Sequence, residues 1–466
     1  MFEVNVPPRD AHQLREIAGE NVGRLYDRAL TDARGALGGG TLWEINSTAE
    51  GGGVAELLSA SLGYLADDGI PVRWLILDGD PEFFRITKRV HNRLHGVLGD
   101  GGELGPAERH HYDDVIRKNL DGAASVAAGD VVVVHDPQPL GLVQPLHERG
   151  ATVVWTCHVG IDEPNDIVRS AWEFLLPRVV AADAITFTRQ AYVWDVVDAT
   201  KVRIIPPCID ASSPKNVELA PDDRDAILLA SGLLSGWSGD GATFLRRDGS
   251  RAPIAHPADL VEVAPLPPDA PFVTQVSRWD ALKDPMGVLR GFVEEPGLDD
   301  AHLVLAGPSP DSVADDPEAA EVLRELHGTW GSLPDADRRR VHLANIPTED
   351  VDENATIVNA LQRRADVVVQ KSLAEGFGLT VTEAMWKARP VVAGRVGGIQ
   401  DQISDGVSGI LVDPRDLTAF GNAVDVLLAD PSLASAMGAA AQDRVRERYL
   451  TPHYLGSYLA LIAELR

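Results

Sequence analysis

Short apolar runs alternate with segments of helical period along most of the chain. In the first half the runs 41–47, 72–77, 131–134, 152–156, 184–187 and 202–205 read as strands. In the second half 272–276, 302–306, 341–344, 366–370, 391–393 and 409–412 read the same way. They are rich in Val and Ile and lack strict alternation, which suits strands covered on both faces of a parallel sheet. Between them lie amphipathic stretches; Val54, Leu57, Leu58, Leu62 and Leu65 form one apolar stripe. Strand alternating with helix predicts a doubly wound α/β fold with right-handed crossovers. The segment 12–37 reads as an additional helix before the first strand, and 431–466 as terminal helices.

The alternation breaks once. Residues 211–271 are rich in Pro, Asp, Gly and Ser, with only 226–229 looking ordered. This break separates two Rossmann-like domains, 1–212 and 213–445, with a loop-rich insertion at 231–270. A last helix, about 446–466, is expected to pack back on the first domain. Parallel sheets bind ligands at the carboxyl ends of their strands, so both domains are expected to turn those ends toward a shared cleft.

Composition narrows the function classes. The chain has 466 residues, with 42 Lys and Arg against 70 Asp and Glu, a formal charge of −28. That field repels nucleic acid and anionic membrane surfaces alike. Hydrophobic residues at 44% allow a large core. Cys157 and Cys208 are too few for a disulfide framework or a four-cysteine zinc site, and no metal is expected. No apolar run approaches the roughly 20 residues that span a bilayer. The start, MFEVNVPPRD, lacks the pattern of a secretory leader, so a soluble cytoplasmic protein is expected.

Three motifs at strand ends carry candidate chemistry. Asn46-Ser47-Thr48-Ala49-Glu50-Gly51-Gly52-Gly53 joins a strand to a helix. Its glycines allow close backbone approach, and the helix start offers N–H groups to a phosphate or sugar hydroxyl. A tight turn explains the same residues equally well. The pattern is not a dinucleotide fingerprint, which speaks against an oxidoreductase. Ser277-Arg278-Trp279-Asp280-Ala281-Leu282-Lys283 places two cations after the first strand of the second domain, a pair suited to a diphosphate. Glu375-Gly376-Phe377-Gly378-Leu379 follows another strand, with a helix starting near Leu379 and Glu383 about one turn inside it. Two carboxylates beside an anion site make sense as acceptors of hydrogen bonds from sugar hydroxyls and a ribose diol. His135 and His158 end adjacent strands, where neutral imidazoles can bond a ligand without adding charge. The stretch 78–92, with Thr87, Lys88, His91 and Asn92, mixes polar groups and aromatics as a carbohydrate pocket does.

Together these residues resemble the retaining GT-B glycosyltransferases of group 1 (family 4). Glu375 and Glu383 match that family's paired glutamates, Arg278 and Lys283 its diphosphate pair, Gly51–Gly53 its glycine loop, and His158 its strand-end histidine. A narrower resemblance is to the trehalose glycosyltransferring synthases. It is carried by INSTAEGGGVAEL, EFFRITKRVHN, HDPQP, PPCIDASSPKNVEL, QVSRWDALKDP and EGFGLTVTEAMWKARPVV. The insertion at 231–270 is longer than the family pattern leads one to expect.

The resemblance implies a GT-B architecture and reversible transfer of glucose from a nucleoside diphosphate glucose (ADP-, UDP- or GDP-glucose) to free glucose, giving α,α-trehalose. No cofactor is required, because the donor is itself the substrate. It implies catalytic roles for His158, Arg278, Lys283 and Glu375. Donor binding falls to Gly52, Gly53, Arg278, Lys283, Asn345, Ile346, Glu375, Gly376, Phe377, Gly378, Leu379 and Glu383. The acceptor falls to Asn46, Gly51, Thr87, Lys88, His91, Asn92 and His135. Expected partners are small: a sugar nucleotide, glucose and trehalose, with no nucleic acid and no membrane, and a homodimer as the candidate assembly. A trehalose phosphorylase using phosphate, another retaining GT-B enzyme with a different acceptor, and a non-catalytic sugar-nucleotide sensor remain as alternatives.

Overall fold

The computed structural model describes residues 1–49, 53–236, 241–309 and 317–466. The chain divides into two compact units, Met1–Asp210 with Tyr449–Arg466, and Ala211–Arg448.

The N-terminal unit carries a seven-stranded sheet of β1 (Phe2–Val4), β2 (Leu42–Asn46), β3 (Val72–Ile76), β4 (Val131–His135), β5 (Thr152–Cys157), β6 (Ala184–Phe187) and β7 (Val202–Ile204), in the order β1-β3-β2-β4-β5-β6-β7. All pairings are parallel except β1 against β3. Every residue of β2 and β4 is buried, as central strands covered on both faces require, and the polar Glu44, Asn46 and His135 among them are hydrogen-bonded. One face packs on Phe83, Ile86, Val90, Tyr112, Phe174 and Trp194. The other packs on Tyr26, Leu30, Leu58, Leu62, Tyr458 and Ile462. The C-terminal helix Thr451–Leu465 therefore belongs to this unit's core. The segment read as one helix over 12–37 is two, Ala11–Ala18 and Glu20–Leu37. Gly19 sits between them at φ +84°, a conformation that ends one helix and that a side chain would strain.

The C-terminal unit holds a second seven-stranded sheet and a hairpin. The hairpin pairs β8 (Thr243–Leu245) with β9 (Arg251–Pro253). The sheet joins β10 (Asp259–Val261), β11 (Phe272–Val276), β12 (His302–Pro308), β13 (Val341–Ile346), β14 (Val367–Gln370), β15 (Val391–Gly394) and β16 (Ile410–Val412), ordered β10-β13-β12-β11-β14-β15-β16. The stretch read as loop thus contains three short strands. Antiparallel β10 adds an edge to the sheet, with Asp259 opposite Asn345. Arg246 pairs with Asp350, Arg247 with Asp352 and His256 with Glu353, which ties the hairpin segment to the start of the helix Val351–Arg364. Among the described residues no single helix is long and apolar enough to cross a membrane.

Candidate active site

In the C-terminal unit, the loops after β11 and β14 are locked together from beneath. Buried Lys371 pairs with Asp284, whose other oxygen accepts from the Gly287 N–H at 3.0 Å. Asp284 holds φ +50° to do this, an uncommon conformation for a side-chain-bearing residue. A Cβ on Gly287 would lie 2.1 Å from that carboxylate, so the position needs glycine. The Gln275 amide donates to the Lys283 carbonyl at 3.0 Å, and the Leu373 N–H donates to the Leu282 carbonyl at 2.8 Å.

This scaffold brings Lys283 Nζ within 2.5 Å of Glu375 Oε2, and the Ser372 hydroxyl donates to the same oxygen at 3.2 Å. The Lys283 and Glu375 side chains are 17% and 11% exposed. Arg278 is 60% exposed and pairs with Asp280 at 3.1 Å. Beside Glu375, Gly376–Gly378 turn the chain into the helix Leu379–Trp386. Gly378 takes the N-cap position at φ +88° and offers no side chain to cap the helix. Gln402 donates to the Phe377 and Gly378 carbonyls and accepts from Thr382 at 2.6 Å. The Gly398 N–H donates to the Gly376 carbonyl at 3.1 Å, and a Cβ on Gly398 would meet the Phe377 Cα at 2.7 Å. A fixed cation thus sits beside an uncapped helix start, whose N–H groups and dipole favour an anion.

Glu383 is held by a different cation from Glu375. Its Oε1 lies 3.0 Å from Lys215 Nζ, while its buried Oε2 has no partner among the described residues. Neighbouring Asn216 accepts from Lys387 Nζ at 3.2 Å and, through its carbonyl, from Trp386 at 3.2 Å. Burial lowers the Lys387 ammonium below the usual lysine range. A buried carboxylate with one unsatisfied oxygen calls for an explanation, and a ligand hydroxyl is one. Asn345, next to last in β13, donates to Asp259 at 3.3 Å, and Ile346, which ends the strand, is buried.

In the N-terminal unit, Gly51 and Gly52 lie outside the described residues, and Gly53 opens the helix Gly53–Asp67. Asn46 is buried and turned inward. It accepts from Trp74 at 2.8 Å and donates to the Thr48 carbonyl at 2.7 Å. The helix Pro81–Leu94 starts on an Asp80 cap with proline in its first turn. On it Thr87 is buried, Lys88 exposed, and His91 and Asn92 half-buried. His135 was expected to meet the acceptor directly. It is 1% exposed and both ring nitrogens are taken, one by Glu44 at 2.6 Å and one by His158 at 3.0 Å. Its place is behind His158.

Sequence reasoning passed over Glu44, Lys371, Asp284, Gln402 and Lys215. Glu44 did leave a signal: a carboxylate in the middle of the buried strand LWEIN must have a partner.

The chain is similar to known proteins over most of its length. Residues 44–194 match the family model "Trehalose synthase, N-terminal domain", and 351–444 match "Glycosyl transferases group 1". The trehalose synthase of Rubrobacter xylanophilus is 37% identical over 459 residues, covering 97% of this chain and 94% of that one. A trehalose phosphorylase of Pleurotus pulmonarius is 26% identical over 448 residues, covering 89% of this chain and 56% of that one. Among solved structures, sucrose-phosphate synthase from Thermosynechococcus elongatus superposes with a TM-score of 0.61 at 19% identity, covering 91% and 96% of the two chains; at that identity the likeness speaks for the GT-B fold alone. The chain is a glycosyltransferase of GT-B fold and belongs to the trehalose synthase family.

Proposed function

We propose that this glycosyltransferase moves the glucosyl group of a nucleoside diphosphate glucose onto free glucose, giving α,α-trehalose with the anomeric configuration retained, in a reversible reaction. The observation that carries the reading is Lys283, 2.5 Å from Glu375, beside the uncapped start of the helix Leu379–Trp386. A compact cation and backbone N–H groups suit a diphosphate, and a carboxylate so held suits sugar hydroxyls.

Arg278, Lys283 and the N–H groups of Gly376, Phe377, Gly378 and Leu379 take the diphosphate. Glu375 accepts from the glucosyl hydroxyls and Glu383 from the ribose. Asn345 and Ile346 line the base, Gly53 adds a backbone contact, and His158 bonds a glucosyl oxygen. Lys88, His91 and Asn92 take the acceptor glucose. The bond from the anomeric carbon to the phosphate oxygen breaks as the bond to the acceptor oxygen forms on the same face. The acceptor's proton passes to the departing phosphate. Cations and dipoles already in place stabilise the charge that builds on that phosphate. No metal is assigned a role.

The same anion site suits inorganic phosphate, and the phosphorylase relative makes that the second reading. Purified protein given glucose with ADP-, UDP- or GDP-glucose is expected to release trehalose and nucleotide. Cleavage of trehalose with phosphate but no transfer from any nucleotide would select the phosphorylase; neither reaction would remove both. Lys283→Ala is expected to lower kcat by about 10²- to 10³-fold with the melting temperature held, the range for losing one preorganised donor. An unchanged rate would remove Lys283 from the diphosphate site.

A further inference from the structure

Glu44, His135 and His158 stand on three adjacent strands as a staircase. Glu44 on β2 lies opposite Val133, two residues before His135 on β4. His135 lies opposite Thr156, two residues before His158. Side chains alternate along a strand, so steps of two keep all three on one face of the sheet. Glu44 Oε2 is 2.6 Å from His135 Nε2, and His135 Nδ1 is 3.0 Å from His158 Nε2. The two imidazoles are nearly parallel, 10° apart with centroids at 5.3 Å. The His158 N–H donates to Asp136 Oδ1 at 2.8 Å, which fixes the base of that side chain. Asp136 itself sits at φ +63°, held by Trp155 donating to its carbonyl at 3.0 Å. With Nε2 engaged by His135, Nδ1 is the ring nitrogen of half-buried His158 that is left for a ligand.

Each link in such a chain needs one donor and one acceptor, and a neutral imidazole carries one N–H. The state at Glu44 therefore runs to the far end. If Glu44 holds a proton, it donates to His135 Nε2, His135 Nδ1–H donates to His158 Nε2, and His158 keeps Nδ1–H. If Glu44 is ionised, every link reverses and His158 Nδ1 becomes an acceptor. Glu44 is 7% exposed, and among the described residues no Lys or Arg pairs with it. Its other close titratable neighbours, Tyr454 and Tyr458 from the C-terminal helix, bring no positive charge. Asp136 favours protonated histidines, but burial outweighs it. With no cation paired to it, burial pushes the Glu44 carboxyl well above its usual range against the opposing pull of His158, and burial lowers both histidines to about 4, so the enclosed chain favours the uncharged form of each group.

We propose that Glu44 is a positioning residue that acts through His135 to fix His158 as its Nδ1–H tautomer, so that His158 meets a sugar oxygen as a hydrogen-bond donor and not as a base. This rests on the assignment of His158 to the glucosyl group made above. It also fits that assignment, because a donor-only His158 leaves the acceptor's proton to the departing phosphate.

The test is the tautomer itself. In the full chain labelled with ¹⁵N-histidine, two-bond ¹H–¹⁵N spectra at pH 7, assigned with His158→Asn, are expected to show His158 protonated at Nδ1. Glu44→Gln, whose amide N–H can replace the acid O–H, is expected to keep that pattern. Glu44→Leu is expected to mix the two tautomers and lower kcat about tenfold, the worth of roughly one hydrogen bond. His158 protonated at Nε2 in the unaltered protein would overturn the proposal. So would Glu44→Leu with both tautomer and turnover unchanged. Should Glu44→Leu fail to fold, the unaltered spectrum and Glu44→Gln still decide. If His158→Asn turns over at the unaltered rate, the glucosyl assignment fails while the tautomer result stands on its own.

Discussion

Among the described residues a carboxylate–histidine–histidine chain occurs twice, once in each unit. In the N-terminal unit it is Glu44, His135 and His158. In the C-terminal unit it is Glu262, His342 and His302, with links of 2.8 and 2.9 Å and rings 21° apart. Both step diagonally between neighbouring strands: His342 lies opposite Val304, two residues after His302. The two chains differ in which end of the sheet they occupy. His135 closes β4 and His158 follows β5, at the carboxyl ends where parallel sheets bind ligands. His302 opens β12 and His342 is the second residue of β13, at the amino ends. The carboxylates differ as well. Glu44 is enclosed in a central strand, whereas the Glu262 side chain is 19% exposed beyond an edge strand. Similar side-chain geometry is therefore no guide to function until its place on the sheet is known: one chain ends at a candidate ligand, the other stitches an edge strand to its neighbours.

Replacing the terminal histidine of each chain gives the widest contrast. His158→Asn is expected to lower turnover about a hundredfold, the low end for losing a donor to the reacting sugar. His302→Asn is expected to leave turnover within about twofold and to lower the melting temperature, through loss of one hydrogen bond. Equal losses of turnover in the two variants would erase the distinction. A smaller contrast comes from the carboxylates, where Glu262→Leu is expected to spare the turnover that Glu44→Leu reduces.

The smallest effect is on acid stability, where the shifted histidines of the two chains act in the same direction. Burial lowers His135, His158 and His302 to about 4 from the usual 6.5. As pH falls below 6.5 the unfolded chain binds protons that the folded chain refuses until about pH 4, so stability drops across that window. Glu44 has the opposite sign. Its carboxyl is raised by burial, so its contribution falls as pH rises above 4.5. His302→Gln is expected to flatten the fall in melting temperature between pH 6.5 and 4, and an unaltered slope would contradict the buried neutral state.

Most of the sheet architecture was legible because buried parallel strands must be continuous apolar runs; Val131–Val134 and Val367–Val369 announce themselves. The strands that escaped, β1 and β8 to β10, are three residues long, and their partners supply what their own composition does not. The cations and glycines of the C-terminal unit were legible because Arg278, Lys283 and Gly376–Gly378 lie in the loops that follow β11 and β14. What holds them was not. Lys371 with Asp284, and Gln402 with the Phe377 carbonyl, are pairings across long stretches of sequence that no local pattern records. The paired glutamates read as two carboxylates beside one anion site, and their separate cationic partners, Lys283 and Lys215, became visible only in three dimensions.

One measurement bears on the central claim most directly. The protein is given nucleoside diphosphate [1-¹³C]glucose and unlabelled glucose, and the product is followed by NMR. The account predicts ¹³C in an α-anomeric carbon of α,α-trehalose, formed in step with released nucleoside diphosphate. A label that stays in the donor with every nucleotide, or that appears in a β-linked or differently linked sugar, would contradict it.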